Sequence, residues 1–230
     1  MPVNVTCQMY LRRLWHNVEE VSPMSQKSPA IFISDSAGLD FLNSIATPVD
    51  TEIDWIGDGE GLLAWLEQAH LVPADVLNAI RKQAKPGEID RVAAQARKLR
   101  EWFRTFIREH RGRPLKAVAP ADLEPLNRLL SRDEGFGQLV AHKNGKISAL
   151  EFQRTRRWRS PESLLLPVGE VLARLLAEED LSDVKACEGA SCTLMFSDRT
   201  RGRSRRWCSM GICGNRAKQI AHRQRLKQSR

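Results

Sequence analysis

Four of the five cysteines lie near the C-terminal end of the sequence, and their spacing constrains the fold more than any other feature. Cys187 and Cys192 are separated by four residues, fifteen residues follow, and Cys208 and Cys213 repeat the four-residue spacing. A structural zinc ion takes four ligands in a tetrahedron, with each thiolate sulfur about 2.3 Å away. Two short loops joined by a modest linker can bring four thiolates to such a point. The spacing therefore predicts one structural zinc ion per chain.

Other uses of these cysteines fit the sequence less well. Two disulfides are disfavoured because the thiols of a reducing cytoplasm would keep them open. A redox pair is usually C-x-x-C beside a βαβ unit, and that pattern is missing here. A thiol switch stays open as the alternative to a metal site. His222 is expected on a helix surface rather than as a substitute ligand, and Cys7 is expected to be unpaired.

The residues around the second cysteine pair predict a tight turn that leads into a helix. Gly211 and Gly214 permit close backbone turns near the sulfurs. The run "NRAKQIAHRQRLK" then indicates a helix, in which Asn215 is a turn or N-cap residue. Cys213 would lie beside the N-terminus of this helix, where the helix dipole stabilises a thiolate.

Positive charge is concentrated in the same part of the chain. From Arg199 to Arg230 there are nine Arg, two Lys and no acidic residue, a charge of +11, whereas the rest of the chain carries −3. Such an asymmetry indicates a polyanionic partner for the basic segment. The alternative is a solvated tail that serves only solubility.

The remaining sequence predicts a mainly α protein with one small β-hairpin. The clearest helix is 87–109, where apolar residues recur at i, i+3 and i+4. An Asn-Gly turn between two alternating segments predicts a hairpin near 137–153. We divide the chain into an N-terminal extension, 1–28, a helical domain, 29–180, and a small zinc module, 181–230, which ends in the basic helix.

The sequence contains no signal for membrane insertion or catalysis. No apolar run approaches the roughly 20 residues that span a bilayer, and the N-terminal segment lacks the apolar centre of a secretory signal. The five histidines are scattered, and no nucleophile elbow, phosphate loop or paired-carboxylate motif occurs. We therefore expect a cytoplasmic protein that is not an enzyme and has no membrane partner.

The zinc module resembles a known family. The run from Cys187 to Lys218 is similar to the CGNR zinc-finger family, whose name matches the residues 213–216 as they stand here. In that family the finger usually follows an N-terminal helical domain called ABATE, which is described as a stress-induced transcription regulator. "LDFLNS" at 39–44 and "LLAWLEQAHLV" at 62–72 resemble the start of that domain. The resemblance implies a nucleic-acid-binding regulator.

The basic residues divide into two expected groups. The outward group should contact nucleic acid, with three arginines on a loop and four cations on the helix: Arg201, Arg203, Arg205, Lys218, Arg223, Arg225 and Lys227. The second group has a structural or mixed role: Asp198, Arg206, Trp207, Asn215 and Arg216. Trp207 should pack over the module, while Arg206 and Arg216 should brace it through Asp198 or backbone carbonyls. Asp40 and Asn43 are expected to cap a helix rather than line a small-molecule pocket.

Together these features predict a bacterial-type transcription regulator that binds zinc and DNA. The helical domain would sense a small-molecule effector or form a homodimer. The alternative function is a zinc module that binds RNA or an acidic protein surface without recognising a DNA sequence.

Overall fold

The computed structural model describes residues 29–48, 50–115, 118–144 and 147–228. The predicted extension 1–28, with Cys7, and the centre of the predicted hairpin turn, 145–146, lie outside these ranges. Within them the protein is mainly helical with small antiparallel sheets, and the fold class predicted from the sequence is confirmed.

The helical part contains six of the α-helices found in the described residues, and the seventh ends the zinc module. In chain order they are α1 Ala37–Leu42, α2 Gly59–Gln68, α3 Ala74–Gln83, α4 Glu88–His110, α5 Glu124–Leu130, α6 Leu165–Glu178 and α7 Asn215–Gln228. Short 3-10 turns lead into α5 and α6, each with a proline at its start. These prolines fit there because the first turn of a helix has no hydrogen-bond acceptor for their missing N–H.

Each strand pairs with one neighbour, so the described sheets have two strands each. β1 Ile45–Ala46 pairs with β2 Ile53–Asp54, β3 Gly135–Asn144 with β4 Ile147–Arg156, and β5 Val184–Ala186 with β6 Met195–Ser197. The long pair is the hairpin predicted near 137–153. Leu139 lies opposite Phe152 in its register, and 69% and 67% of these side chains are exposed. The hairpin therefore presents an apolar face to solvent.

Helix α4 matches the expected 87–109 to within one residue at each end. Most of its apolar stripe is fully buried, including Val92, Ala96, Phe103 and Ile107, while Ile89 and Leu99 are partly buried. Gly87 precedes it with φ of 73°, a left-handed conformation that glycine adopts without a steric penalty.

Two buried arginines of α4 were not expected from the sequence. Arg100 donates two parallel hydrogen bonds of 2.9 Å to the carboxylate of Asp54 on β2, and a third to Ser44. Arg104 donates to the carbonyl of Leu42, at the end of α1, where backbone acceptors have no helical partner. Both charges are buried but paired, so they fix the position of α1 and β2 against α4.

A single hydrophobic core joins the helical part to the zinc module. It runs from α1, with Leu39 and Phe41, through α6 to β6, where Phe196 is fully buried. Cys187, Cys208 and Cys213 belong to the same cluster of buried residues. The zinc module therefore packs against the helical part and shares its core, although the sequence predicts a domain boundary between residues 180 and 181.

Candidate metal centre and its basic surroundings

The four cysteine sulfurs of the zinc module meet at one point. All four Sγ atoms lie within 4.8 Å of one another, with Cys208–Cys213 at 3.6 Å and Cys192–Cys208 at 3.8 Å. A tetrahedron with bonds of about 2.3 Å has sulfur–sulfur edges of about 3.8 Å. A disulfide would need about 2.05 Å, and all four thiols are free. The geometry fits one zinc ion and excludes two disulfides in this structure.

Two turns of the backbone carry the ligands in pairs. Cys187 directly follows β5, and the backbone N–H of Cys192 closes the first turn by donating to the carbonyl of Gly189 at 3.0 Å. The second turn is a single π-helical turn, Met210–Gly214, which places Cys213 beside Cys208. Ser209 caps this turn, because its hydroxyl accepts from the N–H groups of residues 211 and 212.

In the first cysteine turn, Gly189 is the glycine at which no larger residue fits beside the metal centre. A Cβ there would lie 2.9 Å from Sγ of Cys213 and 3.1 Å from Cβ of Cys192, closer than van der Waals contact allows. The sequence had drawn attention to Gly211 and Gly214 instead. A Cβ at Gly214 would come too close to the flexible end of Met210 alone, at 2.7 Å, and would make an ordinary contact of 3.6 Å with the Trp207 ring. Close packing around the sulfurs therefore depends on the first cysteine turn.

Hydrogen bonds and burial together determine how the thiols ionise. Cys187 accepts from the N–H of Gly189 at 3.4 Å and of Cys208 at 3.3 Å. Hydrogen bonds from Cys192 and Cys208, with these N–H groups, lower the pKa of Cys187 to about 2. Burial raises the pKa of Cys213 to about 12. Without a metal the negative charge would thus lie mainly on Cys187, and a zinc ion supplies the positive charge that lets the other three thiols bind as thiolates as well.

The strand β6 fastens this centre to the helical part. The side-chain amide of Asn43, at the end of α1, donates to the carbonyl of Met195 at 2.8 Å and accepts from its N–H at 2.9 Å. The N–H of Ser197 donates to the carbonyl of Ser34. Asn43 is the C-terminal cap residue of α1, as expected, and its side chain also joins two parts of the molecule.

Asp40, unlike Asn43, differs from its predicted capping role. Its carboxylate accepts from the N–H groups of Ile33 and Ser34 and from the hydroxyl of Ser34 at 2.7 Å. These bonds shape the segment before α1. Burial, which outweighs these hydrogen bonds, raises the pKa of Asp40 to about 6.

Asp198 organises the residues that follow β6. It is fully buried, and it accepts from Nζ of Lys185 at 2.7 Å, from the hydroxyl of Thr200 at 2.6 Å and from the N–H of Arg205 at 2.9 Å. Burial opposes its charge, but these bonds outweigh that penalty and lower its pKa. Asp198 thus holds together the basic loop, a name used here for residues 199–206.

Arg205 lies inside the module rather than on its surface, which corrects the expectation that the loop presents it outward. Only 21% of the side chain is exposed, and its guanidinium lies 4.2 Å from the centre of the Phe196 ring. It donates to one carboxylate and to backbone carbonyls: Asp35 at 2.7 Å, Ile33 at 3.0 Å, Trp207 at 3.1 Å, and Cys208. Arg205 therefore ties the metal turn to the segment before α1.

The other arginines of the basic loop are mostly paired. Arg203 pairs with Asp183 and also donates to the carbonyl of Asp198 at 3.1 Å. Arg199 pairs with Glu179 at 3.3 Å. Arg201 is exposed and has no ion pair within the described residues. Of the three loop arginines predicted to face outward, Arg201 and Arg203 are exposed, and Arg201 has no ion-pair partner in the described part of the chain.

Arg206 and Arg216 brace the module, but through partners other than those predicted. Arg206 pairs with Glu188 at 2.6 Å and lies over the ring of Trp207, which is half-buried as expected. Arg216 reaches Asp50 of the helical part with two hydrogen bonds, of 2.8 and 2.9 Å. Asp198, the predicted partner, is used by Lys185 and Arg205 instead.

Helix α7 begins at Asn215, as predicted, but Asn215 is not its cap. The π-helical turn continues directly into α7, so the capping residue is Ser209, six residues earlier. The four predicted contact residues of this helix are all exposed: Lys218, Arg223, Arg225 and Lys227. The helix carries no acidic residue, and none of these four has a carboxylate partner within the described residues.

Two protein-family models match this chain, one over the helical part and one over the zinc module. Residues 35–187 match the family model ABATE, described as "Putative stress-induced transcription regulator". The chain belongs to the ABATE family. Residues 184–226 match the CGNR zinc finger, so the four clustered cysteines are its metal ligands, positioned for one zinc ion. A search among curated proteins gives no match.

The ABATE match covers residues whose structural roles the sequence did not reveal. Asp35, Asp50 and Asn43 hold the finger in place, yet each stands alone in the sequence, without a periodic pattern. Their partners are more than 150 positions away, so nothing local indicates the pairing. None of the helices in the described residues combines the length and apolar character that a membrane-spanning segment needs.

Proposed function

We propose that this ABATE protein is a zinc-dependent transcription regulator that binds duplex DNA through helix α7. The observation that carries the proposal is that four of the five cations on this helix have no carboxylate partner among the described residues. Lys218, Arg223, Arg225 and Lys227 are exposed on a segment without a carboxylate. Cations of this kind bind phosphates and release condensed counterions.

The dimensions of α7 suit the major groove. Its 14 residues make a rod about 21 Å long and about 10–12 Å wide. The major groove of B-form DNA is about 12 Å wide and admits one helix. Among the described elements, α7 packs mainly against the metal turn that precedes it, so its length stays accessible.

The metal centre would fix the direction in which α7 leaves the protein. The π-helical turn holds Cys213 and continues into α7 without a loop. The Arg216–Asp50 pair adds a second attachment, to the helical part. A helix held at its base reaches a duplex in one orientation, so less conformational entropy is lost on binding.

The salt dependence of binding tests this proposal. Full-length, zinc-loaded protein should bind duplex DNA with an affinity that falls steeply as salt rises. The double change Lys218→Gln and Arg223→Gln should make the negative slope of log K against log salt shallower by about 1.8, because each phosphate contact contributes about −0.9. The measurement is fluorescence anisotropy over a range of salt concentrations.

A matched control uses two exposed arginines that have partners. Arg199 and Arg206 pair with Glu179 and Glu188, so Arg199→Gln with Arg206→Gln removes the same charge from the basic loop. This variant should change the slope much less. Equal slopes for the two double variants would contradict α7 as the contact surface. Tighter binding to RNA than to DNA in competition would favour the alternative function.

The proposal assigns the protein no enzymatic activity. The homodimer, the small-molecule effector and the cytoplasmic location remain predictions from the sequence.

A further inference from the structure

One side of helix α7 faces the body of the protein. Five of its residues line a groove together with Pro48, Asp50 and the first cysteine turn: Arg216, Ala217, Ile220, Ala221 and Gln224. At 100° per residue these positions span about 140° of the helix circumference. On this side Arg216 and Ala217 are half-buried, whereas Ile220, Ala221 and Gln224 border the groove and stay exposed.

The opposite side of α7 carries uncharged and weakly basic groups. Gln219, His222 and Leu226 project there, within about 60° of one another on the helical wheel. All three are exposed, Leu226 to 54%. No lysine or arginine interrupts this strip, although the helix is otherwise rich in both.

The cations of α7 lie on the two flanks of this strip. Lys218 and Arg225 project within about 20° of each other on one flank, and Arg223 projects on the other, whereas Lys227 lies about 40° beyond Arg223, at the edge of the groove side. A helix in the major groove has base edges in front of it and a phosphate strand on either side. The strip and its flanks match that environment. A helix that contacted only phosphates would not need an uncharged strip between cations on its two flanks.

We infer that Gln219 reads a base edge in the major groove, with adenine as the preferred base. The inference rests on the proposed function, because it needs α7 in the groove. A glutamine amide can donate to N7 of adenine and accept from its N6 amino group at the same time. The phosphate contacts on the flanks position the helix and carry no sequence information themselves.

Helix α7 contains its own control for this inference. Gln224 has the same side chain on the same helix, but it lines the groove that faces the protein. Gln219→Ala and Gln224→Ala therefore remove identical groups from opposite sides. Neither change alters the charge, so neither should alter the salt slope of DNA binding.

The experiment starts with selection of bound sequences from a randomised duplex by the full-length, zinc-loaded protein. Affinity is then measured for the selected duplex and for duplexes with each A·T pair replaced by G·C, at two salt concentrations. Gln219→Ala should weaken binding to the selected duplex by roughly 5- to 150-fold, the range for one bidentate base contact. It should also remove the preference for adenine at one position. Gln224→Ala should retain that preference.

The outcomes separate this inference from the proposed function. Salt-dependent binding without any base preference, or equal losses in the two glutamine variants, would overturn the reading role of Gln219 and leave DNA binding by α7 intact. Absence of duplex binding by the wild-type protein would overturn both. Loss of the adenine preference in Gln219→Ala alone, at an unchanged salt slope, is the supporting result.

Discussion

The basic loop and helix α7 carry the same number of cations, five each, and differ in what surrounds them. In the loop, four arginines have carboxylate partners: Arg199, Arg203, Arg205 and Arg206. In α7, the residue with such a partner among those described is Arg216, at the base of the helix. Equal charge in the sequence thus becomes unequal charge at the surface, because a paired cation must give up its partner before it can bind a phosphate.

The difference arises from where each segment lies against an acidic body. The loop crosses the helical part and the start of the zinc module, which supply Asp35, Glu179, Asp183 and Glu188. Beyond Asp50, helix α7 meets no carboxylate within the described residues. We therefore assign the loop mainly to structure and α7 mainly to ligand binding.

The largest expected effect comes from the metal that supports both segments. Cys208→Ser should abolish stoichiometric zinc binding, because the site then has three thiolate ligands in place of four. Apparent zinc-binding free energies in small fingers are about 10–16 kcal/mol, so the module should lose its fixed structure. Native mass spectrometry measures the zinc content, and circular dichroism measures the melting temperature.

Two results would contradict the assignment of these cysteines to a metal site. One is a wild-type protein without bound metal and with four free thiols. The other is an unchanged zinc content in Cys208→Ser. In either case the basic loop and α7 should retain their structure without zinc. The prediction that both segments depend on the metal centre would then be wrong.

The second prediction compares two arginines of the loop. Arg205→Ala should lower the free energy of unfolding by about 2–3 kcal/mol, because it removes a charge-assisted pair and several bonds to carbonyls. Arg201→Ala should change it by less than about 0.5 kcal/mol. Arg205→Lys should stay close to the alanine variant, because lysine has no planar fork to reach the same acceptors.

Urea denaturation in excess zinc measures these differences. Equal stability of the Arg205 and Arg201 variants would show that the packing of Arg205 contributes nothing, and the loop would then be as free to bind ligands as α7.

The smallest effect should come from converting a paired cation into a free one. Asp50→Asn removes the partner of Arg216, so the salt slope of DNA binding should become steeper by less than one unit. The pair is exposed, and stability should change by at most about 1 kcal/mol. Asp75→Asn on α3 is the control, because it removes the same charge far along the chain from the finger. An equal change in both variants would indicate a general effect of net charge.

Much of the fold followed from local patterns in the sequence. The apolar stripe of 87–109 and the turn chemistry of the hairpin predicted α4 and the β3–β4 pair closely, because both signals depend on neighbouring residues. The short strands β5 and β6 were not predicted as a pair, since three residues have no periodicity to detect. Buried Arg100 and Arg104 were also missed, because an arginine on an apolar face resembles its surface neighbours until its partners are known.

The candidate site also has features that the sequence predicted and features that it did not. Cysteine spacing identified the four metal ligands, because zinc fixes the number and geometry of its thiolates whatever else surrounds them. The role of each arginine did not follow. Arg205 and Arg203 looked like outward cations in a basic run, and the structure gives both of them carboxylate partners.

The sequence by itself thus determined the ligands of the metal, the long helix α4, the basic helix α7 and the total charge of the basic segment. Only the tertiary structure decided which of those charges stay available. Metal spacing and helical periodicity act over a few residues, so they can be read along the chain. Arg205 and Asp35, by contrast, are 170 positions apart, and Arg216 and Asp50 are 166 apart. Such pairs form only when the core brings the helical part and the zinc module together.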